Sequence, residues 1–167
     1  MSNGVELVQA EAGNQSVLEN LLQFYIHDFS ELLPLDVGND GRYSYKDLPL
    51  YWSDASRLPF LARFDGKLAG FVLITKISEP SGDGEAYNMT EFFLLRRYRH
   101  RGIGRELAEK VWLRYPGRWQ VRVRANNVAA LKFWGASIAT FAARAVQCTS
   151  FESDGTTWHV FSFDSRR

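Results

Sequence analysis

Apolar residues recur along this chain with two periods, and the predicted element changes wherever the period does. Val5-Glu6-Leu7-Val8-Gln9 alternates apolar with polar, which predicts a strand. Leu18, Leu21, Leu22, Tyr25 and Phe29 then recur at helical spacing, one face of a helix that Asn14 or Ser16 can cap. Ser30 is expected to cap a short second helix that Pro34 ends. No period runs through 36–58, a long connection rich in Asp, Gly and Tyr. A connection of that length either packs onto its own core or serves a ligand.

Pro59 to Phe64 and Lys67 to Ile74 alternate on either side of Asp65-Gly66 and predict a hairpin. After a turn over Ser78 to Gly84, a strand is expected from Tyr87 to Leu95, apolar on both sides near its end. Ile103, Leu107, Val111 and Tyr115 repeat as a helix that Pro116-Gly117 stops. Trp119 to Ala125 alternates again, and Asn127 starts a helix over Val128 to Trp134 that Gly135 ends. Two strands, about 138–150 and 156–163, close the chain around Ser153-Asp154-Gly155. Strands with helices between them predict a mixed α/β sheet of about seven strands.

Composition narrows the class. With 167 residues, 46% hydrophobic and 14% aromatic, the chain is expected to form one compact domain over 1–167. No stretch has the apolar length of a membrane span, and Met1-Ser-Asn-Gly-Val-Glu-Leu lacks the charged and apolar regions of a signal peptide. The expected location is the cytoplasm. Cys148 is the only cysteine, which excludes an internal disulfide and a thiolate zinc cluster and suits a packing position. His27, His100 and His159 have no ligand spacing, so no metal is expected.

Charge changes the picture more. Residues 1–85 hold 13 acids and 6 bases, whereas residues 86–167 hold 6 acids and 14 bases. The basic half suits a polyanionic ligand, and the acidic half either steers a cation or is a set of solvated faces. Within the basic half, Arg99-His100-Arg101-Gly102-Ile103-Gly104 joins the predicted strand to the predicted helix. The first turn of a helix leaves N–H groups unpaired at the positive end of its dipole, so an anion can dock there. Gly102 and Gly104 allow close backbone approach, and Arg96, Arg97, Arg99, Arg101 and Arg105 add charge.

The run Glu91 to Gly104 resembles the acyl-CoA-binding signature of the GNAT N-acetyltransferase superfamily, whose core is Gln/Arg-x-x-Gly-x-Gly/Ala. Asn127-Val-Ala-Ala130-Leu-Lys-Phe133-Trp134 resembles the superfamily's later Asn-x-x-Ala-x-x-Phe/Leu-Tyr. The resemblance implies a mostly antiparallel sheet with a V-shaped splay between strands 4 and 5, flanked by about four helices. It also implies acetyl-CoA as cosubstrate and direct attack of a primary amine, on a small molecule or a peptide, on the thioester.

By the family's pattern the backbone of Leu94, Leu95 and Arg96 holds the pantetheine arm and acetyl carbonyl. Amides around Arg99, His100, Arg101, Gly102, Ile103 and Gly104 take the pyrophosphate, with Arg105, Phe133 and Trp134 completing the cofactor side. Asn127 is either a contact to the arm or a helix cap. Glu91 is the candidate base, working through water, with a salt bridge to an arginine as its other use. Tyr25 to Glu31 would form one wall of the acceptor site, with Tyr25 and His27 as catalytic candidates and Asp28 and Glu31 facing the substrate. Tyr43, Tyr45, Tyr51 and Trp52 offer it flat surface with a polar handle.

The pattern breaks at Trp134, which stands where many family members carry a tyrosine that protonates the departing thiolate. An indole does not surrender its proton, so the acid is dispensable or Tyr25, Tyr43 or Tyr45 supplies it. The same departure leaves room for an acyl-CoA sensor without turnover. A nucleic-acid module using 96–124, with Tyr98, Trp112 and Trp119 for stacking, is the third reading. Near-neutral net charge argues against it, and neither nucleic acid nor membrane is the expected partner. Exposed closing strands leave a homodimer open.

Overall fold

The computed structural model describes residues 4–78, 84–142 and 146–166. The alternating runs become β1 (Val5–Gln9), β2 (Arg57–Phe64), β3 (Lys67–Ser78), β4 (Glu85–Leu94), β5 (Arg118–Arg124), β6 (Gln147–Ser153) and β7 (Thr156–Asp164). They form one sheet in the order β1-β2-β3-β4-β5-β7-β6. Every neighbouring pair is antiparallel except β4 and β5. The β2–β3 turn uses Asp65 at φ 49° and Gly66 at φ 73°, the doubly left-handed geometry that an Asp-Gly pair tolerates.

Four α-helices lie among the described residues: α1 (Gln15–Phe29), α2 (Leu50–Ser53), α3 (Ile103–Arg114) and α4 (Val128–Phe141). On one face of the sheet, Leu18, Leu21, Leu22 and Ile26 of α1 pack with Leu48 and Tyr51 on Leu61, Phe71, Leu73 and Phe93. On the other, Leu107, Val111 and Trp112 of α3 and Trp134, Ile138 and Phe141 of α4 pack on Phe60, Val72, Ile74, Met89, Val121 and Phe163. No helix among the described residues is long and apolar enough to cross a membrane.

Two irregularities in β4 place the site. Its parallel pairing with β5 covers only Tyr87↔Trp119 and Asn88↔Gln120. Beyond them β4 runs on to Leu94 and β5 to Arg124 without pairing, so the strands part as a V. Against β3, Leu73 faces Glu91 and Ile74 faces Met89, leaving Thr90 as the extra residue of a β-bulge. Its hydroxyl bonds Thr75 Oγ1 at 2.9 Å. The bulge reverses the alternation: Met89 faces the α3–α4 core, whereas Phe93 faces the α1 core.

Several expectations need correction. Ser30 caps no second helix, because its hydroxyl donates back to the His27 carbonyl at 2.6 Å and residues 30–33 form turns. Asn14 receives the Glu11 N–H at 3.1 Å instead of capping α1 by its side chain. The 36–58 connection contains α2 and the start of β2. Gly135 does not end α4, which continues to Phe141, so the strand expected from 138 begins only at Gln147. Cys148 is exposed on β6 rather than packed. The turn expected over Ser78 to Gly84 has its centre, 79–83, outside the described residues.

Candidate active site

Glu91 lies one residue past the bulge, on the arm of the V that faces α1. Tyr25, from α1, donates its hydroxyl to Glu91 Oε2, and Tyr45, from the connection after α1, donates to Oε1 at 3.0 Å. Burial pushes the Glu91 carboxyl above its usual range, against the pull of those two hydrogen bonds. Burial, then the nearby Glu91 charge, pushes the Tyr25 and Tyr45 phenols up as well. That direction makes both poor proton donors to a thiolate. Tyr51, on α2, is also buried, and burial pushes its phenol up too.

The strap that delivers Tyr45 is tied to α1. Gln23 accepts the Tyr43 N–H at 2.8 Å and donates to the Tyr43 carbonyl at 3.0 Å. His27 Nδ1 lies 3.2 Å from the Tyr43 hydroxyl. Both rings therefore line the strap side of the site, with His27 exposed. Trp52 donates its indole N–H to the Ala10 carbonyl at 3.0 Å, which fastens α2 to the end of β1. Glu31 is exposed beyond α1. Asp28 is occupied by two arginines: Arg96 Nη2 donates to it at 2.7 Å, and Arg99 Nη2 is bonded to its second oxygen.

The turn after β4 leads into α3 with its donors open. Leu95 N–H donates to the Ala69 carbonyl at 2.8 Å, toward β3. N–H groups alternate in direction along a strand, so Phe92 and Leu94 turn theirs toward the gap between β4 and β5. At the helix start Gly102 adopts φ 79°, and no side chain caps it. Gly104 faces the Phe133 ring closely: a Cβ there would sit 3.2 Å from it. Ile103 is buried beneath, while Arg97, His100, Arg101 and Arg105 are exposed around the turn. Arg101 also lies against the Phe64 ring, 5.5 Å from its centre.

Asn127 serves as the N-cap of α4, accepting the Ala130 N–H at 3.1 Å. Trp134 is 6% exposed and packs edge-on to Phe92, with ring centres 5.0 Å apart. Tyr98, Trp112 and Trp119 are buried as well, so none offers a face for base stacking. Sequence reasoning missed Gln23, Thr90, Gly70, which lets β3 approach the Phe93 carbonyl, and Asn126, which donates Nδ2 to the Leu32 carbonyl at 3.2 Å. Only the bulge left a trace: apolar positions 87 and 89 are followed by 92 and 94, a step of three inside an alternating run.

Comparison with known proteins agrees with this geometry. No curated protein matches the sequence. Among solved structures, an acetyltransferase from Thermus thermophilus superposes with a TM-score of 0.66 at 15% identity, covering 96% of this chain and 97% of that one. Arabidopsis thaliana NAA60 in complex with a bisubstrate analogue gives 0.61 at 18% identity, with 96% and 97% covered. Arabidopsis thaliana Naa50 with the bisubstrate analogue CoA-Ac-MVNAL gives 0.62 at 19%, with 95% and 97% covered. These likenesses concern the fold. Residues 18–137 match the family model of the GNAT acetyltransferases, and the chain belongs to that family.

Proposed function

We propose that this protein is an N-acetyltransferase that uses acetyl-CoA to acetylate a primary amine of a small molecule or peptide, with Glu91 as the base. The observation that carries the reading is a half-buried carboxylate, raised in proton affinity and held by two phenols, beside the opening of the β4–β5 splay. The cofactor side fits: the uncapped start of α3 presents N–H donors, Gly102 and Gly104 keep side chains away from it, and the Leu94 N–H faces the gap. A neighbour of the same fold crystallised with the bisubstrate analogue CoA-Ac-MVNAL supports the same choice.

Acetyl-CoA supplies the acyl group as an activated thioester. The α3 N-terminus holds its pyrophosphate, and the Leu94 N–H donates to the thioester carbonyl oxygen as charge develops there. An alkylamine with a pKa of about 10.4 arrives protonated at neutral pH, and Glu91 takes that proton, directly or through water. As the C–S bond breaks, the thiolate, with a pKa of about 8.5, departs without a protein acid and takes up the second proton that the nitrogen sheds on forming the amide, which agrees with an indole at position 134 and with raised phenols at Tyr25 and Tyr45.

The test is calorimetric titration with acetyl-CoA followed by thiol release over a panel of small amines and short peptides. Binding and turnover on at least one amine support the proposal. Binding without turnover on any of them would replace it with an acyl-CoA sensor, and no binding would end both.

A further inference from the structure

The end of α1 lies across the open end of the V and is fastened on both sides. Asp28, in the last turn of α1, holds Arg96 and Arg99 from the turn after β4. Arg99 also donates Nε to the Leu94 carbonyl at 2.8 Å, and its guanidinium lies 5.4 Å from the centre of the Phe93 ring. Four residues on from Asp28, the Leu32 carbonyl accepts Asn126 Nδ2 at 3.2 Å, in the loop after β5. One short segment thus touches the ends of both arms. Tyr25 and Asp28 are three residues apart and share a side of the helix. From that side Tyr25 meets Glu91, and Asp28 meets the arginines.

We propose that Asp28 is a positioning residue: by latching α1 to Arg96 and Arg99 it holds the Tyr25 phenol on Glu91 and so sets the proton affinity of the base. The proposal rests on the reading of Glu91 as base, but the latch itself is independent of it. Burial works against the Asp28 charge, yet the hydrogen bonds from Arg99 and Arg96 hold its carboxyl below the usual range. The latch is therefore charged and closed at any pH where an amine is acetylated. Glu91 is faced by Tyr25 from α1, Tyr45 from the connection and Tyr51 from α2. Of these, Tyr25 is the one that α1 carries, and its hydrogen bond favours the ionised carboxylate.

Opening the latch withdraws that bond while Tyr45 and Tyr51, which α1 does not carry, still cover the carboxyl, and so makes Glu91 harder to ionise. The direct charge effect has the opposite sign, because removing the Asp28 anion makes a neighbouring carboxyl easier to ionise. The two causes can therefore be separated by direction. The experiment is a carbon-13 NMR titration of the glutamate side-chain carboxyls in the unliganded full chain, with the Glu91 signal assigned by its loss in Glu91→Gln. In Asp28→Asn the Glu91 midpoint should rise by about half a unit to one unit, a threefold to tenfold change in acid constant. Arg99→Lys keeps the charge but cannot fork between Leu94 and Asp28, and should move it the same way. It also decides the matter if Asp28→Asn fails to fold. A midpoint that stays or falls in either folded variant overturns the latch. Because the readout is titration, an absence of acetyl transfer would refute the proposed function and leave the latch to be judged separately.

Discussion

Glu91→Gln should move activity and stability in opposite directions. An acceptor with a pKa of about 10.4 is neutral in about one molecule per thousand at pH 7.4. With Glu91 in place the protonated majority can bind and be deprotonated within the site. Glutamine cannot take that proton, so the variant must draw on the neutral fraction. Its kcat/KM is expected to fall about 10³-fold at pH 7.4, within the range that general bases contribute, and to recover about tenfold per pH unit.

Stability follows from the raised carboxyl. Because burial lifts the folded value above the unfolded one, the group's favourable contribution is complete below the unfolded value and is lost as pH rises through the folded value. A neutral amide escapes that loss at pH 7.4. It keeps a carbonyl to accept from one phenol and an NH2 to donate to the other, so the melting temperature should rise. Thiol release between pH 6 and 10 and thermal unfolding at pH 7.4 read the two effects. A rate and pH slope equal to the parent's would remove Glu91 as base. A lower melting temperature would refute the burial argument.

Gly70→Ala would place a Cβ 1.9 Å from the Phe93 carbonyl oxygen, so β3 and β4 must separate beside Leu94. A cost above about 3 kcal/mol lowers the melting temperature of a chain this size by about 6–12 °C or more, and a smaller drop by thermal unfolding would contradict the contact. Trp134→Tyr should change kcat less than about threefold in the thiol-release assay, since a thiolate with a pKa of about 8.5 needs no donor. A larger gain would show that an acid was missing. Asp28 contributes stability above the unfolded aspartate value of about 3.9, and loses it as pH falls through the lowered folded value. The gap in unfolding midpoint between the parent and Asp28→Asn should therefore narrow from about pH 5 downward.

What the sequence disclosed was whatever the chain encodes locally. The β2–β3 hairpin carries its own alternation and an Asp-Gly turn, and α3 carries its own period between a glycine start and a Pro-Gly stop. The second half of α4 departs from the sequence expectation because a glycine such as Gly135 commonly ends a helix. Trp134, Ser137, Ile138 and Phe141 in fact repeat as one helical face, and the 5.0 Å packing of Phe141 on Trp112 carries the helix past the glycine. The Glu91 cage joins residues 66 and 46 positions apart, and the Asp28 latch joins residues 68 and 71 apart. No local period reports such pairings. Glu91 and Tyr25 are nevertheless legible as separate candidates, Glu91 because it stands on the strand that leads into the glycine turn, and Tyr25 because the family resemblance puts its segment on the acceptor wall.

The bulge at Thr90 explains why the base sits where the sheet opens. In an unbroken strand Met89, Glu91 and Phe93 would share a face, and Glu91 would join Met89 in the core formed by Trp112, Trp134 and Phe163. A carboxylate there would have only apolar neighbours and would be held neutral or would destabilise the fold. The extra residue turns Glu91 to the α1 face, where Tyr25 and Tyr45 can satisfy both oxygens. It does so two residues after the last pairing of β4 with β5 at Asn88. The same stretch therefore frees one edge of β4 for a ligand and turns the Glu91 carboxylate toward an aromatic wall. Past the bulge Phe92 and Leu94 return to the α3–α4 face, so the strand that carries the base also closes the core beneath the turn into α3.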